Sequence, residues 1–146
     1  METTATSLSL LGAQLVLSAS LEQAKTMSIS MNISVCDAHT NEILFARMDN
    51  AKITSMEIAR GKAFTSSGHK ANTRAFAKYA GINGPAFGLH TTNNGKFSIV
   101  PGGVAIKNAA GEVIGSVGVS GGSPDQDEIV ALAGAKAWNG MTHSKM

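Results

Sequence analysis

GEVIGSVGVSGGSPDQDE, residues 111–128, contains both a strand pattern and a helix start, and its reading decides the fold. Val113 to Val119 is an apolar run that follows the turn former Ala109-Ala110-Gly111, so Glu112 to Val119 reads as the second strand of a hairpin. A helix then begins with three agreeing signals: Ser123 as cap, Pro124 at the first helical position, and Gln126 three residues after the cap. Between them, Gly118-Val119-Ser120-Gly121-Gly122 satisfies G-x-S-x-G, the pattern that presents a nucleophilic serine on a sharp strand-to-helix turn. The alternatives are a nucleophile elbow on a parallel sheet, or a flat strand entering a capped helix beside an antiparallel one.

The elbow reading fails on its partners. A serine hydrolase needs a base and an orienting acid after the elbow, and only His143 follows Ser120, in a polar tail. Parallel crossovers need a dozen or more residues each, and this chain is too short to supply an α/β-hydrolase sheet. Gly115, Gly118, Gly121 and Gly122 also miss the G-x-G-x-x-G spacing of a dinucleotide site. Glycines feeding a helix N-terminus still expose backbone N–H groups that favour a carboxylate or other anion. Ser120 and Gly121 therefore stand as candidate ligand-binding residues rather than catalytic ones. A second pair, Gly102-Gly103 after Pro101, allows close approach of a ligand to another strand.

Working outward, residues 7 to 27 read as an amphipathic helix, with Leu8, Leu11, Leu15 and Ala19 beside Leu10, Leu17, Leu21 and Ala24 at helical spacing. Met31 to Cys36 and Glu42 to Met48 read as strands joined by a short polar connection. Thr54-Ser55-Met56-Glu57 matches a capping box and opens a helix to about Ser67. A further helical piece is expected within His69 to Tyr79. Phe87 to Leu89, Phe97 to Val100 and Val104 to Lys107 are short strand candidates, the first two joined by a turn at Asn93-Asn94-Gly95. The last helix continues through Trp138, with Gly140 as its stop. The order of helix, two strands, helix, about three strands and helix predicts one α+β domain over 1–146 with an antiparallel sheet.

Composition narrows the partners. Net charge is +2 and 5% of residues are aromatic, so neither a basic stripe nor a stacking platform for nucleic acid is visible. No run reaches the roughly 18–20 uncharged apolar residues of a membrane span. The N-terminal METTATS carries an acid and no basic residue, unlike a secretory leader, so a soluble cytoplasmic protein is expected. Cys36 is the single cysteine and ends an apolar strand, which predicts a structural thiol.

The polar residues offer one constellation. His39, His69, His90 and His143 are widely spaced and lack ligand-like pairing, so no metal site is expected; His90 ends an apolar segment and suits a pocket mouth. Lys62 shares a helical stripe with Ile58 and Thr65 beside Ala59 and Ala63, and Arg47 alternates with Ile43 and Phe45 on a strand. A buried cation needs a carboxylate or a ligand, and Asp49 and Asp127 are candidate partners. Lys62 and Arg47, as catalytic candidates with Thr65, Ser120 and the glycine loops, would form a pocket for an anionic or carbonyl-containing molecule and stabilise an enolate-like intermediate.

ILFARMDNA (43–51), EIARGKAFTSS (57–67), PGGVAI (101–106) and GEVIGSVGVSGGSPDQDE (111–128) resemble, in order, the successive motifs of the GlcG/HbpS-like family. The resemblance runs from about residue 8 to 140 and implies a profilin-like antiparallel sheet of about five strands with flanking helices, and a homo-oligomer. It implies haem or another tetrapyrrole as ligand. Asn50 stands where members usually carry glycine, Ala105 where proline is usual, and the first helix lacks the histidines that haem-binding members use. Haem binding is accordingly expected to be weak. Three functions stay open: a small-molecule-binding protein, a cofactor-independent isomerase or lyase acting on a small carbonyl metabolite, and an assembly module without a ligand.

Overall fold

The structure is a computed structural model that describes the backbone of residues 1–144 and the side chains of residues 1–139. Its elements are α1 (Leu10–Thr26), β1 (Asn32–Asp37), β2 (Glu42–Arg47), α2 (Ser55–Gly68), a 3-10 turn at Thr73–Ala75 running into α3 (Phe76–Tyr79), β3 (Gly103–Lys107), β4 (Val113–Ser120) and α4 (Pro124–Ser144). Four strands form one antiparallel sheet in the order β2-β1-β4-β3.

That is one strand fewer than the sequence predicts, and the segment before β3 explains it. Leu89–Thr91 and Asn93–Gly95 are 3-10 turns, and Phe97–Val100 joins no strand. Gly88 at φ 100°, Asn93 at 55°, Asn94 at 57° and Gly95 at 76° place left-handed kinks through the segment. The Ser98 N–H then goes to the Thr65 hydroxyl at 2.7 Å rather than to a neighbouring strand.

Strand alternation sorts the sheet into two faces. Ile33 and Val35 of β1 pair with Val119 and Val117 of β4, and Val104 pairs with Val117. With Ile106 these side chains form the main core, covered by α1 and α4. Each fully buried aliphatic side chain contributes roughly 1.5–3 kcal/mol. The other face carries Ser34, Cys36, Gly103, Ser116 and Gly118, and α2 lies on it.

Small residues on that second face let helix and sheet approach closely. A Cβ on Gly118 would collide with the Ala59 carbonyl oxygen and the Ala63 amide nitrogen of α2. Beside it the Ser116 hydroxyl donates to the Ala63 carbonyl at 2.6 Å and accepts from Ser67 at 2.7 Å. The glycine-rich strand thus serves a helix-on-sheet contact.

Three local expectations are corrected. The buried stripe of α1 is Ala13, Val16, Ser20 and Ala24, while Leu10 and Leu11 are exposed. Small residues face α4 because the helices lie close, with the Ser20 hydroxyl donating to the Val130 carbonyl at 2.9 Å. Thr54 makes no side-chain cap and already has helical angles, φ −65° and ψ −23°, because turns from Lys52 and Ile53 wind the backbone before it. Gly140 does not end α4, which continues to Ser144 and includes the backbone of His143. The box at α4 does form: Ser123 Oγ accepts from the Gln126 N–H at 3.2 Å, and Gln126 Oε1 accepts from the Ser123 N–H at 2.9 Å. Among the described residues, no helix is long and apolar enough to cross a membrane.

Candidate functional site

Lys62 points into the molecule from the middle of α2 and is 1% exposed. Its Nζ donates to Asp127 Oδ2 and to the Val119 carbonyl, each at 2.9 Å, while Asp127 Oδ1 accepts from the Gly122 N–H at 2.8 Å. The ammonium therefore joins α2, the end of β4 and the first turn of α4. Burial pulls Lys62 below the ordinary lysine range, and Asp127 partly offsets that pull. Burial likewise raises Asp127 above the ordinary carboxylate range, with Lys62 and the backbone amides of Gly122 and Gly121 opposing it. Gly102 closes the site, since at φ 127° a Cβ there would stand 2.7 Å from Lys62 Nζ.

The expected pocket of Lys62 and Arg47 does not assemble. Arg47 is exposed, its guanidinium 3.9 Å from Met56 Sδ, and it forms no ion pair among the described residues. It shares a sheet face with Phe45, but at Arg47 that face opens to solvent. Asp49 is exposed in the turn after β2, so of the two candidate acids only Asp127 meets Lys62. Gly103 packs under α2, its N–H donating to Thr73 Oγ1 at 2.9 Å. Ser120 is buried at the end of β4, next to Gly121 at φ 153°. His69 stacks edge-on with Phe76 and Phe97, His90 lies elsewhere, and the His143 side chain falls outside the described residues. An enolate-stabilising pair of cations is thus absent from this location, and with it the geometry of an isomerase or lyase built on Lys62 and Arg47.

The open concavity lies on the far side of α2. A groove of about 790 Å³ runs between the outer face of α2, the β1–β2 end of the sheet and the segment from His90 to Val100. Ile58, Gly61 and Phe64, three residues apart, form a second stripe on α2 distinct from the Ala59–Ala63 stripe packed on the sheet. Phe97, Ile99 and Val100 face them. Phe97 is anchored by edge-to-face contacts with Phe76 at 5.2 Å and His69 at 5.4 Å. Thr65 fixes the wall, donating to the Gly61 carbonyl at 2.8 Å while accepting from Ser98.

The groove's charges are arranged around Arg60. Its guanidinium bridges Glu57 at 2.9 Å and Glu42 at 3.1 Å and lies 4.2 Å from the Phe45 ring centroid. Hydrogen bonding to Glu57 raises Arg60 further above its ordinary range. Ser34 donates to Glu42 at 2.8 Å, and Lys96 extends over Phe64 with its Nζ 5.8 Å from the centroid. Cys36 lines the floor; burial pushes its thiol up to about 12, which keeps it protonated. Of the candidate ligand-binding and catalytic residues read from the sequence only His90 lines this groove. The rest of the site had one available signal, the Ile58–Gly61–Phe64 spacing opposite the FSIV run of 97–100.

An antiparallel sheet with helices on both faces and a groove beside α2 places the chain in a defined class: it belongs to the family described as haem degrading protein HbpS-like, whose family model matches residues 8–136. Its fold superposes on Klebsiella pneumoniae protein ORFY with a TM-score of 0.91 at 28% identity, covering 94% of each chain. A PduOC:haem complex matches with a TM-score of 0.85 at 30% identity over 90% of this chain and 95% of that one. In sequence, the corrinoid adenosyltransferase PduO of Salmonella typhimurium is 32% identical over 97% of this chain, which spans only 42% of that protein's length.

Proposed function

We propose that this protein binds a haem-type tetrapyrrole in the groove between α2 and the His90–Val100 segment. The observation that carries the reading is the groove itself. At about 790 Å³ it falls within the size range of small-molecule sites, and its walls are apolar and aromatic on two opposing sides. A flat, largely apolar macrocycle with carboxylate side chains suits such walls. Arg60 and Lys96 supply the cations for the carboxylates, although Arg60 must share itself with Glu42 and Glu57. The similarity to a PduOC:haem complex supports the same ligand class.

Haem, when bound, supplies an iron centre; the residues named here hold and orient the ring. The first helix, where the resemblance places haem ligands, has no histidine and contributes no residue to this groove, so binding is expected to be weak. Titration of the protein with ferric haem tests the proposal. Saturation with excess haem should shift the Soret band. Ile58→Asp, at an exposed groove position, should weaken binding about tenfold without lowering Tm. No Soret shift in the wild type, or equal affinity in Ile58→Asp, overturns the groove assignment.

A further inference from the structure

We infer that this protein carries a second site, which takes a phosphate group, free or on a small monoester. A cavity of about 460 Å³ opens where the N-terminal segment, the turns of both hairpins and the end of α2 meet, and it shares no lining residue with the groove. Its volume is in the range of small-molecule sites, but its walls are mostly polar, which suits a hydrated, charged ligand. Two lysines line it, Lys70 just after α2 and Lys107 at the end of β3. The fold brings them together. Asn72 Oδ1 accepts from the Ala105 N–H at 3.0 Å and Thr73 Oγ1 from the Gly103 N–H at 2.9 Å, so the chain from Thr73 back to Lys70 follows β3 toward Lys107. Neither ammonium forms an ion pair among the described residues. The carboxylate in the same wall, Glu112, accepts instead from Asn108 Nδ2 at 3.1 Å. Two like charges gathered without a counter-ion repel each other, and a bound dianion offsets that repulsion.

Lys70 also stands where glycine fits more easily. The Ala71 N–H returns to the Ser66 carbonyl at 3.3 Å, which closes α2 with Lys70 in the left-handed position at φ 55°. Helices that end this way mostly place glycine there, because a side chain is strained at that angle. The negative end of α2 favours a nearby cation, but Lys107 lies on a strand and is equally unpaired, so the helix end accounts for one lysine only. Thr4, Thr6 and His39 extend the polar wall, and their side chains make no hydrogen bond among the described residues. The segment carrying the threonines is fastened, with Ser7 Oγ accepting from the Ala38 N–H at 3.0 Å and the Leu8 N–H donating to the Ile114 carbonyl at 2.8 Å. Two ammoniums match the nearly two negative charges of a phosphate at neutral pH, and the hydroxyls are free to donate to its other oxygens. A single carboxylate would leave one ammonium unpaired.

The test is titration of the whole chain with inorganic phosphate and with glycerol phosphate, at constant ionic strength, followed by backbone amide shifts in nuclear magnetic resonance. The wild type should show saturable shifts around Lys70 and Lys107. Tighter binding of glycerol phosphate assigns the site to a monoester, and tighter binding of inorganic phosphate assigns it to the free anion. Lys70→Gln and Lys107→Gln should each bind roughly tenfold more weakly. Lys25→Gln, on α1 and outside the cavity, should bind as the wild type does. Glu112→Gln should bind more tightly, because it removes a carboxylate from the wall. Lys70→Gly should lose binding while keeping or raising the phosphate-free Tm, since glycine relieves the left-handed backbone. No saturable shift in the wild type overturns the site, as does an equal loss in Lys25→Gln, which would be a general salt effect. Wild-type affinity in Lys70→Gly or Lys107→Gln overturns it too, and succinate binding as tightly as phosphate overturns the assignment to phosphate. Each of these failures leaves the haem reading standing, because the two cavities have no lining residue in common.

Discussion

Replacing Lys62 by Met isolates the buried ion pair, and its effect can be worked out from the contacts. The change removes one 2.9 Å ion pair to Asp127 and one 2.9 Å hydrogen bond to the Val119 carbonyl, while a methionine of similar length fills much of the space. Asp127, 2% exposed, keeps its backbone amide donors but loses its counter-cation. Breaking a buried pair by removing one partner costs about 3–5 kcal/mol. For a chain of this size each kcal/mol lowers Tm by about 2–4 °C, so the loss is roughly 6–20 °C. The pH dependence has a definite sign. Without lysine, burial at Asp127 is less opposed, and its folded carboxyl lies further above the ordinary value near 3.8. A carboxyl raised on folding contributes its stability below the ordinary value and loses it as pH rises through the raised one. The deficit of Lys62→Met against wild type should therefore shrink toward pH 4 and widen toward pH 7. Adding Asp127→Leu should recover most of the loss, because a buried pair exchanged for apolar residues is often neutral. Calorimetry across that range is the assay. A Lys62→Met protein that melts at or above the wild-type temperature at pH 7 would refute the structural role and return Lys62 to a ligand pocket.

Three further outcomes follow from the packing. Gly118→Ala should destabilise by about 1–3 kcal/mol or more in urea denaturation, because its methyl meets α2 backbone rather than a flexible side chain; a neutral result would mean that α2 is free to shift. Ser123→Ala should cost about 1 kcal/mol while Thr54→Ala costs almost nothing, since only Ser123 caps its helix, and equal costs by denaturation would contradict the cap assignment. Ser120→Ala should remain folded with ester hydrolysis unchanged from background, and stoichiometric labelling of Ser120 by a phosphonate would defeat that expectation.

The architecture was legible where a pattern is satisfied locally. Two strands at Met31–Cys36 and Glu42–Met48, the hairpin through Ala109-Ala110-Gly111 and the boxed start of α4 all depend on neighbours within a few residues. The missing strand depends on distant ones. FSIV at 97–100 has the composition of a strand, yet Thr65, more than thirty residues away, takes the Ser98 N–H. The leucines of α1 show the same limit. Periodicity located a helix but not which side faces α4, and that contact selects Ala13, Val16 and Ser20 because the helices lie close.

The site was harder to read for a related reason. The sequence puts Lys62 on a helical stripe with Ile58 and Thr65, of which the structure buries Lys62 and Thr65 and exposes Ile58, and a stripe does not reveal the partner. The i,i+4 pattern is the same whether an ammonium meets a ligand or a carboxylate sixty-five residues on. Arg47 alternates with apolar residues as a buried side chain would, but α2 leaves its end of the sheet open. The glycines of 115–122 have the spacing of a ligand cradle, yet Gly118 admits the backbone of α2 and Gly115 and Gly121 lie against the Cys36 and Ser30 carbonyls, because a Cβ that would obstruct a ligand would obstruct a backbone equally. The groove itself arises from an absence of regular structure. Had residues 97–100 paired as a fifth strand, Phe97, Ile99 and the turn bearing His90 could not stand opposite Ile58 and Phe64 as they do. The left-handed residues at 88 and 93–95, which break the expected strand, are therefore the same features that hold the groove's second wall away from the sheet.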